Sequence, residues 1–253
     1  MRIFLTATLL YTAAFLGAPT AHARDLVVYG EPTLETALKS VGKLWHGRSG
    51  TRVNVFVAPT DLSYAQIERG ARCDVIFALA GFATDDAARN KIIHADTIRR
   101  ILRNGLALIG TAPAAAPAAD ATLADMSRLI AGKTLAIANP DRDPAGARAV
   151  DLLRRLGIAI DDRNKAIVVA ESSAGVLSFL ATGKAQLGIV YASDALAGFP
   201  LAAALPATGE PPIEYIVAKA RDPALDAQPF MTFLKSPEAK ATFKSAGLVP
   251  IDE

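Results

Sequence analysis

The chain has 253 residues, of which 51% are hydrophobic but only 6% aromatic. This composition is typical of an alanine-rich helical and α/β protein and excludes a disordered chain. Lysine and arginine number 27, against 25 acidic residues, and no basic stripe is visible, so a nucleic-acid-binding protein is disfavoured. The length is sufficient for one large domain or for two lobes with substantial cores.

The N-terminal 23 residues have the pattern of a secretory signal peptide. Arg2 provides a short positive region, Ile3 to Gly17 an apolar run, and Ala21-His-Ala23 a small-residue cleavage site. The apolar run is too short to anchor the protein, and no later run reaches the length of a membrane span. We therefore predict a secreted protein whose mature chain begins at about Arg24 and has no membrane span.

Cysteine and histidine usage argues against disulfide, thiol and metal chemistry. Cys73 is the single cysteine, so no internal disulfide forms and stability must come from packing. It directly precedes an apparent strand, Asp74–Phe77, which favours a small buried thiol over a nucleophile. After cleavage only His46 and His94 remain, in unrelated contexts, and two lone histidines predict no metal site. We likewise expect no cofactor.

Strand and helix patterns alternate from the mature N-terminus. Between the first two strands, apolar residues recur at the helical period from Leu34 to Trp45, with Thr33 as the predicted N-cap. Thr60 and Asp61 are the predicted capping residues of the next helix. A βαβαβ order of this kind predicts a parallel sheet with crossover helices. The three predicted strands are Leu26–Tyr29, Val53–Val57 and Asp74–Phe77.

The same alternation continues to the C-terminus. Asp143 and Pro144 are predicted to cap and open one helix, and Ser172-Ser173 to cap another. The segment from Thr111 to Ala121 is predicted to be an exposed connection, and two helices are predicted near residues 225–234 and 238–246. The further predicted strands are Leu106–Ile109, Thr134–Ala138, Ala166–Ala170, Leu187–Tyr191 and Ile213–Ala218.

These elements predict an α/β protein of two lobes, each a mostly parallel sheet flanked by helices, with a cleft between them. The chain is expected to cross between the lobes near Asn104-Gly105 and near Glu210. The predicted organisation is a signal peptide over 1–23, the first part of lobe 1 over 24–104, lobe 2 over 105–210, and a return to lobe 1 over 211–253.

Several predicted strands end in hydrogen-bond donors at or beside a helix start. Helix N-termini carry partial positive charge and unsatisfied N–H groups, so several that converge would bind an oxyanion without lysine or arginine. A cleft between lobes is a favoured place for such a ligand. The donors are the hydroxyls of Thr33, Thr60, Ser172-Ser173 and Tyr191, and the bare amides of Pro144-Ala-Gly146.

The chain resembles the periplasmic molybdate-binding proteins of ABC importers over nearly all of its mature length. The Pro-Ala-Gly and Gly-Ile-Val-Tyr segments are fairly specific together. The segments that carry the resemblance are Val28-Tyr-Gly-Glu-Pro-Thr-Leu34, Ala58-Pro-Thr-Asp-Leu-Ser-Tyr-Ala-Gln-Ile-Glu-Arg-Gly70, Asp74-Val-Ile-Phe-Ala78, Ala138-Asn-Pro-Asp-Arg-Asp-Pro-Ala-Gly146 and Leu187-Gly-Ile-Val-Tyr-Ala-Ser-Asp-Ala195.

The resemblance implies the two-lobed periplasmic-binding-protein fold and a tetrahedral oxyanion, molybdate or tungstate, held by hydroxyls and backbone amides. Matched position by position, the two first-lobe hydroxyls fall on Thr33 and Thr60. The second-lobe groups are the amide of Ala145, an amide near Ser173 and the hydroxyl of Tyr191. Such a protein does no covalent chemistry and delivers its ligand to an ABC permease. We expect it to be a monomer.

The chain departs from that family's pattern inside the predicted pocket. Threonines replace both serines, and Glu31-Pro32 precedes the first of them. Leu79-Ala-Gly81 replaces the Ser-Ala-Asp that is usual after the third strand. A carboxylate close to a bound dianion would be repulsive, so either Glu31 points to solvent or the pocket is retuned for another ligand.

Three alternatives stay open at this point. The first is a binding protein of the same fold for a different small ligand, with Glu31 and Asp61 contacting a cationic or hydroxyl-bearing group. The second is a secreted enzyme that uses Cys73 or the Glu31/Asp61 carboxylate pair. The third is a sensor or accessory protein that feeds no permease.

Overall fold

The computed structural model describes residues 24–81, 87, 91–112, 121–160, 164–196, 198–205 and 213–252. The signal peptide predicted over residues 1–23, and most of the predicted connection from Thr111 to Ala121, lie outside the described residues. Within the described residues, no helix is both long enough and apolar enough to cross a bilayer.

The described strands are β1 (Leu26–Gly30), β2 (Val53–Val57), β3 (Val75–Leu79), β4 (Arg99–Asn104), β5 (Leu106–Gly110), β6 (Leu135–Ala138), β7 (Ile167–Ala170), β8 (Leu187–Tyr191), β9 (Leu201–Ala204), β10 (Ile213–Lys219) and β11 (Leu248–Pro250). The described α-helices are α1 (Glu35–Ser49), α2 (Thr60–Glu68), α3 (Leu123–Ile130), α4 (Pro144–Arg155), α5 (Ser173–Ala181), α6 (Ala227–Phe233) and α7 (Pro237–Ser245). Short 3₁₀ helices span Pro32–Leu34, Ala95–Thr97 and Asp194–Leu196.

The first sheet has six strands in the order β11-β4-β10-β3-β1-β2. Its β2-β1-β3 half is parallel, which confirms the predicted βαβαβ arrangement. Its other half is antiparallel, because β10 pairs with both β3 and β4, and β11 pairs with β4. The sheet therefore combines strands from the two ends of the described chain.

The second sheet has five strands in the order β7-β6-β8-β5-β9. Strand β6 is parallel to both β7 and β8, whereas β5 is antiparallel to β8. The chain passes from one sheet to the other between Asn104, at the end of β4, and Leu106, at the start of β5. Two sheets flanked by helices confirm the predicted α/β class, but the prediction that each sheet is mostly parallel is wrong. Among the described strands, antiparallel pairs make up three of the five pairings in the first sheet and two of the four in the second, because β4, β5, β9, β10 and β11 pair only in antiparallel fashion.

Both faces of the central strands are buried, as expected for strands covered by helices on each side. In β1, Leu26 and Val28 belong to one hydrophobic cluster, and Val27 and Tyr29 to another on the opposite face. The second sheet repeats the arrangement, with Ile137 of β6 in the first cluster and its neighbouring alanines in a third. This packing fixes the strand ends, where the predicted donors lie.

Two of the predicted helix caps are wrong. Thr33 lies inside the 3₁₀ helix, and the N-cap of α1 is Leu34. Thr60 is the first residue of α2, whose N-cap is Pro59, so neither Thr60 nor Asp61 caps it. Both threonine hydroxyls instead bond groups outside their own helices.

The caps of the second lobe agree better with the sequence. Asp143 caps α4, with Pro144 in the first turn as predicted, and Ser172 caps α5 by accepting from the amide of Gly175 at 3.3 Å. Ser173 is the first residue of α5 instead of its cap.

Candidate functional site

The second-lobe donors predicted from the sequence converge on one carboxylate, that of Asp143. Its Oδ1 accepts from the amide of Ala145 and from the hydroxyl of Tyr191, each at 2.9 Å. Its Oδ2 accepts from the amide of Ser173, also at 2.9 Å. The convergence follows from the sheet, because parallel β6, β7 and β8 end at the same edge and lead to Asp143, Ser173 and Tyr191.

The first lobe also has a carboxylate that accepts hydrogen bonds at the ends of its parallel strands. Glu31, directly after β1, accepts from the amide of Thr60 at 2.7 Å and from the Thr60 hydroxyl. The Thr60 hydroxyl oxygen in turn accepts from the amide of Leu79 at 3.0 Å. These residues meet because β1, β2 and β3 are parallel and end at one edge. Glu31 is only 9% exposed, so the interpretation that it points to solvent is wrong.

Thr33 takes part in a different set of hydrogen bonds. Its hydroxyl lies 2.9 Å from the hydroxyl of Tyr215, on β10. The side-chain amide of Asn104 donates to Tyr215 at 3.2 Å and to the hydroxyl of Ser193 at 2.9 Å. Because Asn104 ends β4 and Ser193 follows β8, this chain of bonds connects the first lobe with the second.

The two carboxylate-centred groups are close enough to influence one another. Burial is the main cause that raises the pKa of Glu31, hydrogen bonds from Thr60 lower it, and the charges of Asp61 and Asp143 raise it. Burial, opposed by the Ser173 hydroxyl and assisted by Asp143, raises the pKa of Asp194 to about 6. No basic side chain is among the groups that shift the pKa of Glu31 or Asp194.

Both tyrosines of the site stay protonated. Burial, and then the charge of Asp143, raise the pKa of Tyr191 far above its usual value. Burial raises the pKa of Tyr215 to about 12, although hydrogen bonds with Thr33 and Asn104 lower it. The charges of Glu31 and Asp194 also raise the pKa of Tyr215. Both remain hydrogen-bonding hydroxyls at neutral pH.

The structure thus places the five predicted residues in three hydrogen-bonded sets. Ala145, Ser173 and Tyr191 meet at Asp143, Thr60 meets Glu31, and Thr33 meets Tyr215. Asp61 forms no hydrogen bond with Glu31 and is exposed. Its effect on Glu31 is the electrostatic one already described.

Sequence reasoning missed four polar residues of this region. Asp143 was recognised only as a helix cap, although an aspartate cap has a second oxygen available for other donors. Tyr215, Asn104 and Asp194 were not singled out. Tyr215 lies inside a buried strand and Asn104 ends an unrecognised one, so neither carries a local signal of its partners.

The remaining candidate chemistry has no support in the structure. Cys73 is buried, and burial is the main cause that raises the pKa of its thiol to about 12. Its thiol donates to the carbonyl of Val75 at 3.3 Å. In the described part of the chain, no group of three or more histidine, cysteine or acidic residues is arranged to hold a metal ion.

Two α/β lobes, each with hydroxyl and amide donors gathered at the ends of its parallel strands, are the architecture of a solute-binding protein. The chain belongs to the family of bacterial extracellular solute-binding proteins, which its sequence matches over residues 26–249. This assignment confirms the family resemblance seen in the sequence.

Curated relatives and solved structures agree with this assignment. The chain is 29% identical to the molybdate-binding protein ModA of Escherichia coli (strain K12) over 253 residues, covering 98% of this chain and 96% of that protein. It is 28% identical to ModA of Azotobacter vinelandii over 255 residues, covering 98% of each. The solved periplasmic molybdate-binding protein of Azotobacter vinelandii has a TM-score of 0.73 at 24% identity, covering 90% of this chain and 100% of that chain. The predicted two-lobed fold is confirmed, and these relatives are binding proteins, not enzymes.

Proposed function

We propose that this protein captures a tetrahedral oxyanion, molybdate or tungstate, between its lobes in the periplasm and delivers it to an ABC permease. The proposed ligand-binding groups are the hydroxyls of Thr33, Thr60 and Tyr191 and the amides of Ala145 and Ser173. The protein would act as a monomer and carry out no covalent chemistry.

One observation carries this proposal. An amide from α4, an amide from α5 and a hydroxyl from β8 all donate to a single carboxylate at 2.9 Å. The donors already converge on one anionic group, so their positions are prearranged to hold an oxyanion once that group is displaced. The relatives are named as molybdate-binding proteins, and this supports the choice of anion.

The proposed mechanism is closure of the lobes around the ligand. An oxyanion bound in the open form would contact one lobe, and contacts to Thr33 and Thr60 as well would be made only in the closed form. Since a ligand shifts a conformational equilibrium by its difference in affinity for the two states, contacts to both lobes would favour closure. Neutral, fixed donors would select among dianions of equal charge chiefly by size.

The test is titration calorimetry of residues 24–253 with molybdate, tungstate, sulfate and phosphate in turn. The proposal expects binding of molybdate and tungstate that is much tighter than binding of the two smaller anions. Absence of binding to all four, with a folded protein by circular dichroism, would contradict it. Light scattering of the same sample measures the molar mass and tests the expectation that the protein is a monomer.

A second candidate is favoured by the burial of Glu31. A buried carboxylate that is repelled by Asp61 and Asp143 would gain from a cationic or hydroxyl-bearing ligand. This candidate expects an amine or polyol to bind, with loss of binding in Glu31→Ala. A screen of amines and polyols by thermal shift, followed by that variant, separates it from the oxyanion proposal.

A further inference from the structure

Asp143 forms more hydrogen bonds than helix capping requires. Thr122, Ser172 and Ser236 cap α3, α5 and α7 with one side-chain oxygen, and each accepts from an amide of its own helix. Asp143 does the same for Ala145, but it also accepts from Ser173 of α5 and from Tyr191 of β8. Two of its three partners therefore lie outside the helix that it caps.

Those three partners are the second-lobe groups that the proposed function assigns to the ligand. Each of these donors carries one hydrogen, and each already donates it to Asp143. An N–H or O–H group that is held at 2.9 Å by one acceptor forms a second bond of full strength only by weakening the first. A carboxylate and an oxyanion would therefore compete for the same donors, and their like charges would repel each other.

We propose that Asp143 sets the affinity of the site, as a built-in anionic occupant of the second-lobe donors that an oxyanion must displace in order to bind. This inference rests on the proposed function, since it concerns the same site. The side chain of Asp143 is partly exposed, so a displaced carboxylate has access to water. Asp143 thereby lowers the affinity for every anion that uses these three donors.

The decisive variant is Asp143→Ser. Serine is as good an N-cap as aspartate, so the start of α4 is preserved, while the short neutral side chain leaves Ser173 and Tyr191 without their acceptor. Asp143→Asn serves as a second variant, because it keeps the size of the side chain and removes the charge. The matched control is Asp141→Asn, which removes an exposed negative charge from the same loop.

Calorimetry with molybdate on the full mature chain measures the effect. Asp143→Ser should bind molybdate about tenfold or more tightly than the unmodified protein, and Asp143→Asn should also bind more tightly. Asp141→Asn should change the affinity by less than about twofold, since exposed charges are screened. Thermal unfolding of each variant checks that it is folded. If Asp143→Ser does not fold, the comparison is made with Asp143→Asn.

The outcomes separate this inference from the proposed function. Tighter binding by Asp143→Ser supports the inference, even if the unmodified protein binds no oxyanion, in which case only the proposed function fails. Equal affinities overturn the inference and leave the proposed function standing. If neither protein binds an oxyanion, both are overturned.

Discussion

The hydroxyl of Tyr191 donates a 2.9 Å hydrogen bond to Oδ1 of Asp143, which joins the end of β8 to the start of α4. The same oxygen accepts from the amide of Ala145, so the tyrosine and the first turn of the helix share one acceptor. Since burial and Asp143 both raise the pKa of Tyr191, its hydroxyl keeps its proton and remains a donor.

The effect of Tyr191→Phe should depend on Asp143. In the Asp143→Ser protein, loss of the hydroxyl should weaken molybdate binding by about 1–3 kcal/mol, because a ligand oxygen loses its donor. In the unmodified protein the loss should be smaller, since the competing carboxylate loses the same hydrogen bond. Calorimetry on the four proteins of this double-mutant cycle measures the difference.

Tyr29→Phe is the matched control, because Tyr29 is a buried tyrosine of β1 that packs against Phe56. It should leave the affinity unchanged in both backgrounds. Equal effects of Tyr191→Phe with and without Asp143 would show that Asp143 does not compete with the ligand for the Tyr191 hydroxyl.

Asp194 should make the free energy of unfolding depend on pH. Its pKa is raised in the folded protein from 3.8 to about 6, so the folded state holds this proton more tightly than the unfolded state. The resulting stability is fully present below about pH 4 and is lost as the pH rises to about 6. Asp194→Asn has no such proton to lose. It should therefore be more stable than the unmodified protein, by an amount that grows as the pH rises over this range.

Urea unfolding at several pH values between 4 and 7 measures this difference. The expected gain is about 1–2 kcal/mol, after allowance for partial exposure of the side chain. Asp141→Asn should follow the unmodified protein throughout. Parallel curves for Asp194→Asn and the unmodified protein would mean that Asp194 titrates normally.

Gly146 marks a close approach between α4 and β6. A Cβ at this position would lie 2.3 Å from the backbone carbonyl oxygen of Ala138, so the helix would have to move. Gly146→Ala should therefore destabilise the protein by about 2–4 kcal/mol and displace the donors around Asp143. Urea unfolding measures the first effect and molybdate calorimetry the second.

The matched control is Gly47→Ala, a helical glycine of α1 whose added Cβ would meet no atom within 4 Å. That change should stabilise the protein by about 0.5–1 kcal/mol, as alanine does in an open helical position. A tolerated Gly146→Ala would show that α4 has room to shift away from β6.

Cys73 should be unreactive in the native state. Burial raises the pKa of its thiol to about 12, so almost no thiolate is present at neutral pH, and reagents have no direct access. Labelling with a chromogenic disulfide at pH 8 should be slow in buffer and fast in denaturant. Rapid labelling of the folded protein would reopen the thiol-enzyme alternative.

The elements that sequence reasoning found are those with strong local patterns. Buried strands such as β1 and β8 are continuous apolar runs, and the donors at their ends follow from strand direction alone. By contrast, β4 was missed because three of its six residues are arginines, two of which pair with the buried Glu214 on the neighbouring strand. Strand β9 is mostly alanine, which has little preference for strands.

The contacts of the site were beyond sequence reasoning because they join distant residues. Asp143 meets Ser173 across 30 positions of the chain and Tyr191 across 48. Glu31 was recognised as a problem for an anion site, but its hydrogen bonds are with Thr60, 29 positions away. A local pattern identifies a donor, whereas its acceptor is determined by the packing of the whole lobe.

The position of β10 has a consequence for the order in which the chain folds. This strand lies between β3 and β4 in the first sheet, yet the whole second sheet precedes it in sequence. During synthesis or translocation, the second lobe is therefore complete while β3 and β4 still present unpaired edges. Such edges favour association with other chains. The sheet of the first lobe is completed only after residues 213–219 have emerged. The tendency of the chain to aggregate should therefore be greatest just before then.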